Sequence, residues 1–392
     1  MRVGISTSVI QRGKTGVAQY VFALLRALAP HAQRHQFTLF VLEEDRPLFE
    51  FAADFARVVP VSERFRPPVQ NIFWHQACLP HLARVHQLDV LHVPSYRRML
   101  APRPCALVAT IHDLAPFHVV AKYDWKRMWY GRVIARRLAW RQDAIIAISQ
   151  NTARDINRFF GLPADRISVV LNGLAHDRFF PGDRERARAT VAARHDLRRP
   201  FFLYLARLEH PGKNHVRLVN AFDEFKRQTG SDWQLVFGGS DWHGAEKIHQ
   251  AIRNAAFAPD VRTLGFVPDE ALPDLYRAAA TFVYPSLYEG FGLPPIEAMA
   301  CGCPVITSTR GSLGEVVGQA AATMDPENIA AMADQLRHLA TDPDLRNNLR
   351  SAGLIQARKF DWNLAAAATM EVYERAARTM ETAMPAPAPQ AG

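Results

Sequence analysis

Cysteine is scarce in this chain. Four residues among 392 (Cys78, Cys105, Cys301 and Cys303) are too few to staple a fold of this size, which excludes a disulfide scaffold. No apolar run approaches the ~18–20 residues that cross a bilayer. The opening Met1–Ser6 reads as a strand, and no charged stretch followed by a long apolar run marks a signal peptide. Nothing repeats at a fixed period, so solenoids are set aside. Charged residues make up 22% and hydrophobic residues 48%, which excludes a disordered chain. The expectation is a reduced, cytoplasmic protein of two domains, at ~100–200 residues per domain. Acidic residues are the minority: Lys+Arg 47 against Asp+Glu 38 gives +9. That excess points to an anionic partner, whether nucleic acid, a membrane surface or a phosphorylated small molecule.

Apolar runs of strand length alternate with helical patterns. Val3–Ile10, Phe37–Leu42, Ala106–Ile111, Ala144–Ile148 and Ile167–Leu171 form a first series, with a helix-like Gly16–Ala29 after the first run. Phe201–Leu205, Gln234–Phe237, Val261–Leu264, Thr281–Tyr284 and Val305–Thr307 form a second. Continuous rather than alternating apolar runs suit parallel strands buried on both faces, so each series predicts a doubly wound α/β sheet. The polar, Arg-rich stretch near 175–198 reads as a linker. The expected domains are 1–180 and 181–361, followed by a helix over about 362–380 and a proline-alternating, disordered tail over 381–392. Two such sheets facing each other are expected to enclose a cleft at their carboxyl edges, where open α/β sheets bind ligands.

The most informative stretch is Pro285–Ala300. It follows an apolar run and leads into a helix with prolines in its first turn, where a missing N–H costs nothing. Gly290 and Gly292, beside Phe291 and Leu293, let backbone approach a ligand, and the helix start favours phosphate. Glu289 and Glu297 can hold different parts of one extended ligand, since a carboxylate accepts from two vicinal hydroxyls at once. A second motif, Leu203–Asn214, carries Arg207 and Lys213 between a strand and the amphipathic helix Asn214–Gln228. Two cations there can neutralise a pyrophosphate.

In these motifs the chain resembles the retaining nucleotide-sugar glycosyltransferases of family four, a group with the GT-B fold. Their signature is a pair of glutamates at the spacing of Glu289 and Glu297, in a setting close to Tyr288–Ile306 throughout. The resemblance implies that Glu289 faces the donor sugar and Glu297 holds the ribose hydroxyls. It implies that Arg207 and Lys213 meet the diphosphate, with Ala206 where the family usually has Gly. It further implies that the backbone at Phe266 and Val267 flanks the base. In the first half, Gly13-Lys14-Thr15 lacks the earlier glycine of a phosphate-binding P-loop. The family instead places Gly16 beside the donor phosphates, helix–strand packing being the other reading of that glycine. His112 and Asp113 match a His-Asp pair whose histidine points at sugar and acceptor, with Asp113 orienting the ring or capping the next turn. Asp361-Trp362 opens a helix that in the family crosses back onto the first domain. Arg310–Gln319 departs from the family pattern at Gly314 and Gln319, which reads as tuning of a loop.

Cys301-Gly302-Cys303 has no zinc-type partner pair and reads as a tight helix-to-strand turn. No metal or other cofactor is expected, because Arg207, Lys213 and helix N-termini supply the positive charge. Lys122–Arg141 carries seven basic residues against one acid, Asp124, interleaved with Trp125, Trp129, Tyr130 and Trp140. It suits an anionic membrane surface better than nucleic acid, or else an ordinary helix with solvated arginines.

The function expected is a retaining hexosyltransferase of polysaccharide biosynthesis, with Glu289, His112, Arg207 and Lys213 as its catalytic residues. It would move a hexose from a nucleotide diphosphate sugar (GDP-mannose is the donor favoured) to a saccharide or lipid-linked saccharide. The location expected is the cytoplasm, peripheral at the inner membrane face. Replacing Glu289 or Lys213 is expected to lower turnover far more than stability. The rivals are a sugar-nucleotide epimerase of the same fold and a non-enzymatic sugar- or nucleic-acid-binding protein.

Overall fold

The computed structural model describes residues 1–13, 15–119 and 128–383. The chain forms two compact units. The first comprises the described residues within 1–114, 125–173 and 362–392, the second those within 115–124 and 174–361.

The first unit holds seven parallel strands: β1 (Arg2–Ser6), β2 (Gln36–Leu42), β3 (Ala56–Val61), β4 (Val90–Val93), β5 (Ala106–Ile111), β6 (Ala144–Ala147) and β7 (Ile167–Val169). Their order is β3-β2-β1-β4-β5-β6-β7. β5 is buried at every residue, as its unbroken apolar run requires. The strands without a clear signal in the sequence are β3 and β4. β3 lies at the sheet's edge, where Pro60 is tolerated and burial is incomplete. β4 is four residues long and interrupted by His92. Helix α1 (Gly16–Leu28) starts at Thr15, whose hydroxyl accepts from the Ala18 N–H at 3.2 Å, and it buries Tyr20, Val21, Leu24, Leu25 and Leu28. Helix α2 (Gln150–Phe160) is capped by Ser149 and stops at Gly161 in the left-handed region.

The second unit holds β8 (Phe201–Leu205), β9 (Gln234–Gly238), β10 (Val261–Thr263), β11 (Thr281–Tyr284), β12 (Val305–Ser308) and β13 (Ala322–Met324), in the order β10-β9-β8-β11-β12-β13. β13 is a short edge strand that the apolar pattern does not announce. The supposed linker is corrected by the structure. Residues 184–195 form helix α3 (Arg184–His195), capped by Asp183, whose carboxylate accepts from Glu185 and Arg186 N–H at 2.9 and 3.0 Å. Ala187 and Val191 are its buried residues, so its many arginines hide the helical period. The division between units falls at Gly173/Leu174.

Helices α4 (His215–Thr229), α5 (Ala245–Asn254), α6 (Leu272–Ala278), α7 (Leu293–Ala300), α8 (Ile329–Thr341) and α9 (Pro343–Ala357) complete this unit. The last helix, α10 (Trp362–Ala383), belongs to the first unit, where it packs on α1, β4, β5 and β6. The proline-alternating tail lies outside the described residues except at 381–383, which continue α10.

In both sheets the strand order reverses once, between β1 and β4 and between β8 and β11. Ligands of open α/β sheets bind at the carboxyl side of that reversal. Arg207 and Lys213 follow β8 and Glu289 follows β11, so in the second unit they straddle it. In the first unit Gly16 follows β1 and His112 follows β5.

Candidate active site

Lys213 and Glu289 meet directly. The ammonium Nζ lies 2.7 Å from Glu289 Oε1, and both side chains are mostly buried, at 20% and 17% exposure. Tyr284 closes a triangle: its hydroxyl donates to the same oxygen at 3.1 Å and accepts from Lys213 at 3.2 Å. Burial disfavours both charges, yet each outweighs that cost for the other. The Glu289 carboxylate, the largest opposing influence, holds the Lys213 ammonium above its ordinary range. Lys213, with the hydrogen bond from Tyr284, holds Glu289 below its own. The pair is therefore ionised at neutral pH. Lys213 is fixed from behind, since the buried Tyr204 hydroxyl donates to its carbonyl at 2.7 Å.

This geometry amends one expectation. Removing either partner leaves a mostly buried charge, so substitution at 213 or 289 is expected to cost substantial stability.

The loop around Glu289 is clamped by the segment read as loop tuning. The Ser312 N–H donates to the Glu289 carbonyl at 3.0 Å, and its single O–H is shared between the Phe291 and Glu289 carbonyls, at 2.7 and 3.0 Å. Gly311 is essential to this approach. It has φ +64°, and a Cβ there would sit 2.4 Å from the Glu289 carbonyl oxygen. Gly292 also has positive φ and opens α7, whose first turn carries Pro294 and Pro295. Leu293 is half-buried and Phe291 buried. Gly290, the residue after Glu289, is buried too.

Glu297, on α7, accepts from the Tyr276 hydroxyl at 2.8 Å. Burial pushes its carboxyl up to about 7, against that hydrogen bond and the charge of Arg178. Phe266 is 74% exposed next to Gly265 in the left-handed region, while Val267 is buried. Arg207 does not join the Lys213–Glu289 pair. It is exposed, its guanidinium lies 4.6 Å over the Trp242 ring, and it forms no ion pair among the described residues. Paired backbone bonds beyond β8 and β9 carry both residues, through Leu208 N–H to Ser240 O and Trp242 N–H to Leu208 O, each at 3.0 Å.

In the first unit, Gly16 is exposed at the first residue of α1, and a Cβ there would meet nothing within 4 Å. Helix–strand packing is thus not the reason for this glycine. His112 Nε2 lies 3.2 Å from the Pro94 carbonyl, and its ring meets Tyr20 edge-on at 4.7 Å between centroids. Burial pushes its pKa down to about 4, against the charge of Asp113. The ring is neutral at pH 7, Nε2–H is used on Pro94, and Nδ1 carries the lone pair.

Tyr284, Tyr276, Trp242, Gly311 and Ser312 were missed as site residues. Their signal is weak: the tyrosines read as strand and helix core, and Ser312 acts through backbone atoms. Cys301 and Cys303 are buried around Gly302, which turns α7 into β12. Among the described residues no group of three or more His, Cys, Asp or Glu is placed to hold a metal ion. Among them, too, no helix is long and apolar enough to cross a membrane.

Sequence profiles account for most of the chain. Residues 185–355 match the profile "Glycosyl transferases group 1", and residues 14–178 match "Glycosyltransferase Family 4". The chain belongs to the glycosyl transferases group 1 family.

This glycosyltransferase is 28% identical over 384 residues to the O-antigen chain mannosyltransferase B of Escherichia coli, covering 95% of this chain and all of that one. It is 30% identical to a D-inositol 3-phosphate glycosyltransferase of Rhodococcus opacus over 69% of this chain and 62% of the relative. It spans 34% of the length of the serotype-specific mannosyltransferase WbdA of Escherichia coli, at 27% identity. In fold it is similar to sucrose-phosphate synthase of Thermosynechococcus elongatus, with TM-score 0.76, 20% identity and 98% and 100% of the two chains covered. HepE of Anabaena, solved with UDP and glucose, gives TM-score 0.75 at 19% identity over 95% and 99%. Two parallel-sheet units are the GT-B architecture expected from the sequence, and membership of this family displaces the epimerase and binding-protein readings.

Proposed function

We propose that this hexosyltransferase moves mannose from GDP-mannose to a hydroxyl of a saccharide or lipid-linked saccharide, with retention, during assembly of a surface polysaccharide. The observation that carries the donor site is the buried, ionised Lys213–Glu289 pair beside the strand-order reversal, with Glu297 on the following helix. The likeness to O-antigen chain mannosyltransferase B over its whole length supports mannose as the sugar.

In this reading the diphosphate takes the positive charge of Lys213 and of the exposed Arg207, whose stack on Trp242 is open to competition by an anion. At the start of α7 the Leu293 N–H adds to it, Pro294 and Pro295 having none. Glu289 then turns its carboxylate to the sugar, and Glu297, as a carboxylate, accepts both ribose hydroxyls. Phe266 and Val267 border the base. Negative charge developing on the leaving diphosphate is stabilised where it forms, and the leaving phosphate helps to deprotonate the acceptor. The acceptor belongs to the first unit, where the lone pair of His112 Nδ1 receives a sugar hydroxyl. The exposed, uncrowded Gly16 leaves room for a phosphate at the start of α1. Arg207, Lys213 and the helix start supply the charge a divalent cation would otherwise bring, so no metal is required.

The test is a thermal-shift panel of GDP-, UDP-, ADP- and dTDP-sugars with and without EDTA. GDP-mannose should raise the melting temperature most, and EDTA should leave that rise unchanged. A larger rise with a UDP-sugar would replace the donor.

We also propose peripheral attachment to anionic membrane through Lys122–Arg141. Residues 122–127 lie outside those described. In the described part Trp129 and Trp140 are 54% and 47% exposed, and Arg132, Arg136, Arg137 and Arg141 line a cavity of about 780 Å³ with Trp140. Co-sedimentation with phosphatidylglycerol vesicles, lost on replacing these four arginines by glutamine, is the expected result. Equal recovery with neutral phosphatidylcholine vesicles would overturn it.

A further inference from the structure

A string of buried polar groups runs through the first unit to the edge of the His112 ring. The Tyr373 hydroxyl on α10 lies 2.7 Å from His92 Nδ1 on β4, and His92 Nε2 lies 2.8 Å from Thr110 Oγ1 on β5. Thr110 Oγ1 lies 3.1 Å from the Tyr20 hydroxyl on α1, and the Tyr20 ring meets His112 edge-on. Tyr373, His92 and Thr110 are fully buried and Tyr20 is 4% exposed. Burial pushes His92 down to about 3, with the nearby His112 adding to the effect, so its ring is neutral.

The groups of the string carry enough hydrogens to make every link. Three hydroxyls and one imidazole N–H carry four hydrogens for three links, so every link has a donor and one hydrogen is left over. If the donors ran from Tyr20 towards Tyr373, the spare O–H would lie on Tyr373. His92 is that hydroxyl's one hydrogen-bond partner among the described residues, so a fully buried donor would go unmet, at about 1–3 kcal/mol. In the other sense Tyr373 donates to Nδ1, Nε2–H donates to Thr110 and Thr110 donates to Tyr20, and the spare O–H passes to Tyr20.

We propose that Tyr373, His92, Thr110 and Tyr20 form a positioning relay for His112. The relay ties α10, β4, β5 and α1 to one setting of the Tyr20 ring, and the Tyr20 ring fixes the tilt of His112. With Pro94 holding Nε2–H on the other side, the lone pair of Nδ1 has one direction. None of the four relay residues touches substrate. The inference rests on the reading of His112 as the residue that meets the acceptor hydroxyl.

The experiment measures GDP release from GDP-mannose with octyl α-mannoside as acceptor, for Thr110→Val, Thr110→Ser, Tyr373→Phe and His112→Ala. Thr110→Val breaks the relay at its middle and should lower kcat about tenfold with an unchanged KM for GDP-mannose, since misplacing a reacting group acts on turnover. Thr110→Ser keeps the hydroxyl and should restore kcat to within about twofold. Tyr373→Phe should lower kcat in the same direction, and it is the second variant should Thr110→Val fold poorly. In a His112→Ala background, Thr110→Val should cost nothing more. A lowered melting temperature with unchanged kcat in Thr110→Val and Tyr373→Phe would overturn the relay while leaving His112 in place. Multiplying losses in the double variant would also overturn it, because the relay would then act elsewhere. Unchanged kcat in His112→Ala alone would remove the acceptor reading itself, whatever the relay variants do.

Discussion

The two halves of the candidate machinery work with opposite materials. In the second unit the site is charged: Lys213 and Glu289 share a mostly buried ion pair, and Glu297 sits poised near neutrality. In the first unit it is neutral: burial pushes His112 down to about 4, and three hydroxyls and one imidazole stand behind it. The difference matches the ligands proposed for each. A diphosphate has to be met by charge, whereas a sugar hydroxyl needs only an oriented lone pair.

The contrast breaks most easily at Lys213. Lys213→Ala should lower kcat by about 10²–10³-fold, through lost stabilisation of the leaving diphosphate. It should also lower stability by roughly 3 kcal/mol, because Glu289 is left unpaired. Steady-state kinetics and urea unfolding measure the two, and unchanged sugar transfer in a folded variant would detach Lys213 from the diphosphate. His112→Ala probes the neutral side, where about 10²-fold in kcat is expected, without a comparable fall in stability. The His112 ring should contribute no limb to a pH–rate profile between pH 5 and 8, since it stays neutral throughout.

Glu297 gives a smaller and sharper effect. Its carboxyl is raised from 4.5 to about 7, and ribose needs the carboxylate. GDP should therefore bind about tenfold more weakly one pH unit below that value than at its plateau above it, by calorimetry. Glu297→Gln should flatten the dependence. Stability runs the other way: the contribution of a carboxyl raised in the folded state is complete below pH 4.5 and is lost as pH rises through 7. The smallest effect belongs to Gly16→Ala. Nothing crowds a methyl there and φ is not positive, so stability should change by no more than about 1 kcal/mol. A several-fold weakening of nucleotide-sugar binding in that variant would mark the space as used by ligand, and unchanged binding would assign it no role.

The sequence made these halves unequally legible. Glu289, Glu297 and Lys213 lie close along the chain to apolar runs that announce β8 and β11, so spacing alone places them at one sheet edge. The first-unit network joins residues 20, 92, 110 and 373, and nothing local relates them. β3 and β13 escaped notice because edge strands need not be continuously apolar, and α3 because its arginines mask the two residues it buries. Arg207 was correctly placed after β8, but its stack on Trp242 depends on the pairing of two loops. Ser312 and Gly311 work through a backbone carbonyl, which side-chain motifs do not report.

The membership of α10 in the first unit has a consequence for biosynthesis. Residues 174–361 must leave the ribosome before the helix that carries Tyr373 can dock on β4 and β5. At ~5–20 residues per second that interval is roughly 10–40 s. During it the nascent first unit exposes the apolar faces that α10 will cover, while the second unit, apart from residues 115–124 continuous in sequence, can already close. The second unit can thus be completed before the first, since its synthesis ends before that of α10, although it starts after that of β1. A chain stopped before Trp362 would present a finished second unit beside an unfinished first one, a natural client for chaperones.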